Sequence, residues 1–363
     1  MASAPLRFGF FTERQVGIGS AAQAIEPHIR ALGHSWTDVT YVRDGGLLES
    51  LTFLPGRARG TLRGYLQVKQ GLSQGPFDAL FFLTHNPAVF HRATLHKIPT
   101  VLWTDVTPVQ LDQQAEQYGH VRSGNAAVQR LKHRAVASTY AAARKLVGWS
   151  NWARNSFMAD YGASSEKAAV VHPGVDLARF TVNRGSAVSG LPRLLFVGGD
   201  FARKGGPLLL QVFREHLVGR AELDIVTRDP VEASPGVRVH HGLSAGSEPL
   251  LKLYQEADAF VLPTLGDCFS IASMEAMAMG LPVVVCDVGG IADIIEHGQS
   301  GYLVARGDGR ALASALEGLV TDRAKCAAMG QRGRQIVEAK FDAAHTARQL
   351  LAIVEEVARG SAG

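Results

Sequence analysis

The stretch GDCFSIASMEAMAMGLPVVV (residues 266–285) decides the fold. Ala272, Met274, Ala276, Met277, Ala278 and Met279 are strong helix formers. The spacing predicts a helix that starts near Phe269 or Ser270, with Ser270 as its cap. Gly280 ends it, and Pro282 prevents its resumption. The apolar run VVVCDV follows as a strand, and AFVLPT (residues 259–264) precedes the stretch as another. Two largely apolar strands joined through a loop, a helix and a turn form a βαβ unit of a parallel sheet.

The same programme runs outward in both directions. In the second half RLLFVGGD, AELDIVTR and VRVHHG read as strands, and GPLLLQVFREHL and SEPLLKLYQEA as helices. In the first half LRFGFFT, WTDVTYV, FDALFFLT, TVLWTDV, KLVGWS and AAVVHPG read as strands. The helices there are IGSAAQAIEPHIRALGH and the long VQRLKHRAVASTYAAARK. TVNRGSAVSGLP (residues 181–192) interrupts the alternation with small, turn-forming residues and reads as a linker. The expected architecture is α/β, with two Rossmann-like domains (residues 1–180 and 193–340) facing each other across a cleft. A final helix, residues 341–363, returns to the first domain. Ligands of such sheets bind beyond the carboxyl ends of the strands.

Composition agrees with a two-domain globular chain: 363 residues, 46% hydrophobic, 19% charged, with 39 glycines. No solenoid-length repeat or low-complexity tract interrupts it. The net charge of +4 hides an asymmetry. Residues 1–190 carry 20 Lys/Arg against 12 Asp/Glu, and the remainder 17 against 21, so +8 faces −4. A basic half points to an anionic partner: a phosphorylated substrate, an acidic lipid surface or nucleic acid. PGRARGTLRGYLQVK (residues 55–69) is the segment best placed for a phosphorylated acceptor or a peripheral membrane contact, a solvated face being the alternative. Cys268, Cys286 and Cys326 are odd in number and lack metal spacing, which favours a reducing cytoplasm. No apolar run approaches the length of a membrane span. The histidines His85, His91, His96, His240 and His241 lack ligand spacing, so no metal site is expected.

Three segments carry chemistry. VGIGSAA (residues 16–22) matches a dinucleotide loop, but four residues separate it from the strand, and Asp38 falls before most of the second strand. A loop whose Gly17 and Gly19 let backbone approach a substrate or diphosphate is the stronger reading, with NAD binding as the alternative. FVGGDFARKGG (residues 196–206) ends a strand, turns on glycines and presents Arg203 and Lys204 before a helix, an anion site without a Walker loop. In the opening stretch Asp267 precedes the helix start, where Phe269, Ser270 and Ile271 would offer first-turn N–H groups to a diphosphate. Glu275, inside an apolar helix, needs a partner if buried, and vicinal sugar hydroxyls would supply two donors.

These segments together resemble the retaining glycosyltransferases known as glycosyl transferases group 1, or family 4, of GT-B fold. The matching residues are Asp267, then Glu275-Ala276-Met277-Ala278-Met279-Gly280-Leu281-Pro282-Val283-Val284, continuing into VGGIADII and HGQSGYLV. FVGGDFARKGGPLLL resembles the diphosphate turn, KAAVVHPGVDLARF the segment before the linker, and FDAAHTARQLLAIVEEV the terminal helix. The resemblance implies that Glu275 binds the ribose of a nucleotide-sugar donor and that Asp267 lies near the donor sugar. Lys204 and Arg203 would neutralise the diphosphate, with N–H groups of Ser270 and Ile271 assisting. Gly17 and Gly19 would close over the donor phosphate, and Asp105, where many relatives have histidine, would meet acceptor or donor sugar. A nucleotide-sugar donor thus takes the place of nucleic acid as the anionic partner, and neither cofactor nor metal is implied. Two departures stand out: Asp267 replaces the usual glutamate, and Gly199 stands where relatives often carry arginine. An epimerase, a phosphorylase or a catalytically silent sugar-nucleotide or membrane-binding module are the rival readings.

Overall fold

The structure, a computed structural model, describes residues 5–14, 17–41, 55–119, 124–182, 190–232 and 234–360, and at Arg57 the backbone alone. The chain divides into two compact units: Met1–Gln113 with Arg122–Pro173 and Ala344–Gly363, and Gln114–Val121 with Gly174–Ala343. The linker read at residues 181–192 lies largely outside the described residues, which resume at Gly190.

The first unit is built on six parallel strands: β1 (Phe8–Glu13), β2 (Ser35–Val39), β3 (Ala79–Leu83), β4 (Thr100–Thr104), β5 (Lys145–Gly148) and β6 (Ala168–Val170). Their order is β2-β1-β3-β4-β5-β6. Every residue of β1, β3 and β4 is buried, as continuous apolar runs demand in a sheet covered on both faces. Phe11 and Phe82 stack across β1 and β3 with ring centroids 4.7 Å apart. The strand read over WTDVTYV stops at Val39, because Tyr41 has a left-handed backbone (φ 55°) that turns the chain away; Val42 lies outside the described residues. The helix Ala343–Arg359 belongs to this unit from its second residue, and its Thr346 hydroxyl donates to the His172 carbonyl at 3.1 Å.

The second unit repeats the plan with β7 (Arg193–Val197), β8 (Glu222–Val226), β9 (Val237–His240), β10 (Ala259–Leu262), β11 (Val283–Cys286) and β12 (Gly301–Val304), in the order β12-β11-β10-β7-β8-β9. The helix from the opening stretch is Ile271–Ala278, and the Ser270 side chain accepts from the Ser273 N–H as its cap. Six of its eight residues are buried. That is why it reads as apolar all round rather than amphipathic. Arg334 donates to the terminal Ala278 carbonyl at 2.5 Å, satisfying one of the helix's unpaired acceptors.

In each sheet the strand order reverses once. The first sheet grows from β1 to β2 on one side and to β3 on the other, and the second from β7 to β8 and to β10. The loops leaving β1 and β3, and those leaving β7 and β10, therefore flank the switch point at the carboxyl edge of each sheet, the place where a ligand crevice is expected. Gly205 fixes the second crevice. Its backbone is left-handed (φ +80°), and a Cβ there would collide with the Pro263 carbonyl of the β10 loop. Gly205→Ala is expected to lose about 1–3 kcal/mol from backbone strain alone, before the collision is counted. A fall in the urea midpoint by circular dichroism measures it; an unchanged midpoint would show that the two loops do not depend on this contact.

Candidate functional site

The second crevice collects most of the residues singled out from the sequence. The Lys204 ammonium, from the loop after β7, forms an ion pair with the Asp267 carboxylate from the loop after β10. Asp267 is 5% exposed, and its other oxygen accepts from the Cys268 N–H at 3.1 Å. A buried carboxylate of this kind persists only if it is paired. Arg203 donates to the Gly266 carbonyl at 2.8 Å and pairs with Asp200 at 3.2 Å. Its guanidinium also lies over the Tyr118 ring, 4.5 Å from the centroid. The two loops are further tied by the Leu265 N–H, which donates to the Arg203 carbonyl at 2.8 Å. Arg203 and Lys204 are thus organised from both sides of the crevice before any ligand arrives.

Phe269 and Ser270 are buried at the start of helix Ile271–Ala278, and Ile271 is half-buried. Glu275, 8% exposed, sits at the fifth position of that helix and accepts from the Tyr254 hydroxyl at 3.0 Å. Burial pushes its carboxyl up to about 7, against the pull of that hydroxyl and of the Arg179 charge. Tyr254 was legible only as a residue of the helix SEPLLKLYQEA, since nothing in a sequence says which aromatic hydroxyl meets a carboxylate. Tyr118 and Gln114, whose amide donates to the Asp267 carbonyl at 3.3 Å, come from a segment that offered no motif.

The first crevice holds the other predicted residues and one the sequence reading passed over. Gly17 has φ 86° and begins the helix Ile18–Arg30, so a left-handed turn requires glycine there; Gln15 and Val16 lie outside the described residues. Gly19 has ordinary clearance, its nearest neighbour being the Arg14 backbone at 3.7 Å. Asp38 corrects the expectation drawn from spacing. It is the fourth residue of β2, close to the strand's end, because β2 begins one residue earlier and stops at Val39. Arg14 already holds its carboxylate at 2.7 Å.

Asp105 follows β4, and desolvation with the nearby Glu13 charge pushes its carboxyl up to about 7. Glu13, the last residue of β1, is fully buried and accepts from Thr84 at 2.8 Å and Tyr41 at 2.6 Å. Burial raises its pKa despite those bonds. An acid closing the apolar run FGFF was the available signal. Thr84 itself has a left-handed backbone (φ 69°), an unusual conformation for a β-branched residue. Arg63, in the basic segment, is 4% exposed and donates to the Tyr41 carbonyl at 3.0 Å, so it faces inward rather than toward a partner.

His240 and His241 are engaged by Asp224 and the Thr227 carbonyl. Among the described residues no group of three His, Cys, Asp or Glu is placed to hold a metal ion, and no helix is long and apolar enough to cross a membrane.

Comparison with known proteins adds to this geometry. Residues 17–179 match the family described as Glycosyltransferase Family 4, and residues 191–322 the one described as Glycosyl transferases group 1. The D-inositol 3-phosphate glycosyltransferase of Streptomyces avermitilis is 30% identical over 226 residues, covering 54% of this chain and 49% of that protein. The chain thus spans about half the length of this curated relative. Among solved structures, sucrose-phosphate synthase from Thermosynechococcus elongatus aligns with a TM-score of 0.74 at 16% identity, over 97% of this chain and 99% of the other. Anabaena HepE in complex with UDP-glucose aligns with a TM-score of 0.70 at 15% identity, over 97% and 100%. At such identities these two show the fold.

Proposed function

Because the chain belongs to the GT-B glycosyltransferases, its first half of family 4 and its second of group 1, we propose that it moves a sugar from a nucleoside-diphosphate sugar to an acceptor hydroxyl with retained anomeric configuration. The observation that carries this reading is the convergence of the loops after β7 and β10, with the Lys204–Asp267 pair between them and Glu275 on the helix that follows. The complexes of HepE with UDP and with UDP-glucose support a uridine nucleotide as donor.

In this reading Glu275 accepts hydrogen bonds from the ribose hydroxyls. As the bond from the anomeric carbon to the diphosphate breaks, negative charge grows on the leaving oxygens. Lys204, Arg203 and the first-turn N–H groups of Ser270 and Ile271 stabilise it without reorganising. No divalent metal is needed for that task. In the first unit Asp105 and the Gly17–Gly19 turn serve the acceptor, and Glu13 there accepts from the Thr84 hydroxyl at 2.8 Å. Asp267 and Glu275 act in binding, unlike the acid and nucleophile pair of a glycosidase.

A thermal-shift screen with UDP, GDP, ADP, their sugars and NAD, in the presence of a chelator, tests the reading. Stabilisation by a nucleoside diphosphate is expected. Stabilisation by NAD alone would assign the site to a dehydrogenase loop at Gly17 instead.

A further inference from the structure

The two cations of the proposed diphosphate site each carry an acid. Arg203 pairs with Asp200, and Lys204 with Asp267. A third cation stands at the same edge of the sheet. Arg228 follows β8, the neighbour of β7, and is exposed. Among the described residues it forms no ion pair; its Nε donates to the Gly199 carbonyl at 3.2 Å. The adjacent Asp229 carboxylate is engaged by the Phe201 N–H at 2.7 Å.

Gly199 explains how Arg228 comes to lie there. A Cβ on Gly199 would sit 2.9 Å from the Arg228 Nε, 3.2 Å from Nη2 and 3.3 Å from Cζ. The guanidinium therefore occupies the space that any side chain at position 199 would take. The Gly199 backbone is outside the left-handed region, so the chain conformation does not itself demand glycine. Glycine at 199 makes room for Arg228. The planar fork is held by its Nε on the turn that Arg203 and Lys204 also belong to, leaving its Nη groups to donate. Such a fork binds phosphate oxygens in pairs.

We propose that Arg228 is a third phosphate-binding residue of the donor site, seated over the β7 turn in the space that Gly199 leaves open. This rests on the nucleotide-sugar reading above. The test is calorimetric binding of UDP, GDP and ADP to the full chain, each compared with its nucleoside monophosphate. Arg228→Gln is expected to weaken the preferred diphosphate about tenfold, the worth of one charged hydrogen bond, and the monophosphate much less. Gly199→Ala, whose methyl would have Arg228 side-chain atoms as its three nearest neighbours, should fold normally by displacing that exposed side chain and weaken the diphosphate in the same direction. The double variant should bind no more weakly than Arg228→Gln alone, because both changes remove one interaction. Wild-type affinity in Arg228→Gln, or additive losses in the double variant, would overturn the assignment. If Glu275→Gln weakens the diphosphate while Arg228→Gln does not, this proposal fails and the donor site stands. If neither does, the donor site itself fails.

Discussion

Replacing Lys204 with methionine is expected to lower the stability of the second unit by about 3–5 kcal/mol and to abolish transfer. The side chains of Lys204 and Asp267 are 16% and 8% exposed, so removing the ammonium strands a carboxylate in a place water scarcely reaches. Adding Asp267→Leu removes the stranded charge, and most of the stability should return while transfer does not. That split separates the pair's two roles, since a merely structural pair would regain both. The four tryptophans, Trp36, Trp103, Trp149 and Trp152, all lie in the first unit. Tryptophan fluorescence therefore follows the first unit, and far-UV circular dichroism, which sees both, should carry the shift. Equal losses in the single and double variants would show that the stranded Asp267 charge is not the cause of the loss.

Glu275→Gln is expected to weaken nucleoside diphosphate binding about 100-fold, the worth of one to two hydrogen bonds to a charged acceptor. The same variant should make the ligand-free protein more stable at pH 8. The sign follows from the direction of the shift. A carboxyl raised from its ordinary 4.5 to about 7 holds its proton more tightly in the folded state, so stability falls as pH rises from 4.5 to about 7. Glutamine has no proton to lose, and the gain above pH 7 should be of order 2 kcal/mol. A second signature follows. The preference for UDP over 2′-deoxy-UDP should grow about tenfold between pH 6 and pH 8 in the wild type and stay flat in the variant, because the ribose hydroxyls donate best to the ionised carboxylate. The diphosphate's own titration cancels in that ratio. A ratio that does not change with pH would remove Glu275 from the ribose site.

Much of the second unit could be read from residues alone, and the reason is chemical. Its strands AFVL and VVVC are wholly buried, the helix between them starts at a serine cap and ends at a glycine, and each of these leaves a local mark. The Lys204–Asp267 contact joins residues 63 positions apart. The sequence placed both at the carboxyl edge but gave no sign that they pair. Tyr254 and Tyr118 were hidden for a related reason: a tyrosine that fills the core and one that also positions a charge look alike in a string. The first unit was less legible. Glu13 read only as one of the residues between the first strand and the glycine loop, yet it closes β1, and the reversal of strand order there puts it beside Thr84 and within the field of Asp105. Asp38 was misplaced because the second strand reads on through Val42, whereas it stops at Val39, and that early stop is what sets Asp38 next to the strand's carboxyl end. Gly199 looked like a lost arginine, and its meaning emerged only with the guanidinium of Arg228 against it.

Calorimetric titration of UDP, GDP and ADP into the wild type, Glu275→Gln and the Lys204→Met/Asp267→Leu double variant, with chelator present, tests the donor site most directly. Expected is binding of at least one diphosphate at one site per chain, weakened about 100-fold by Glu275→Gln and weakened again, with the fold intact, by the double variant. Binding of equal strength in all three proteins would contradict a donor site at the loops that follow β7 and β10.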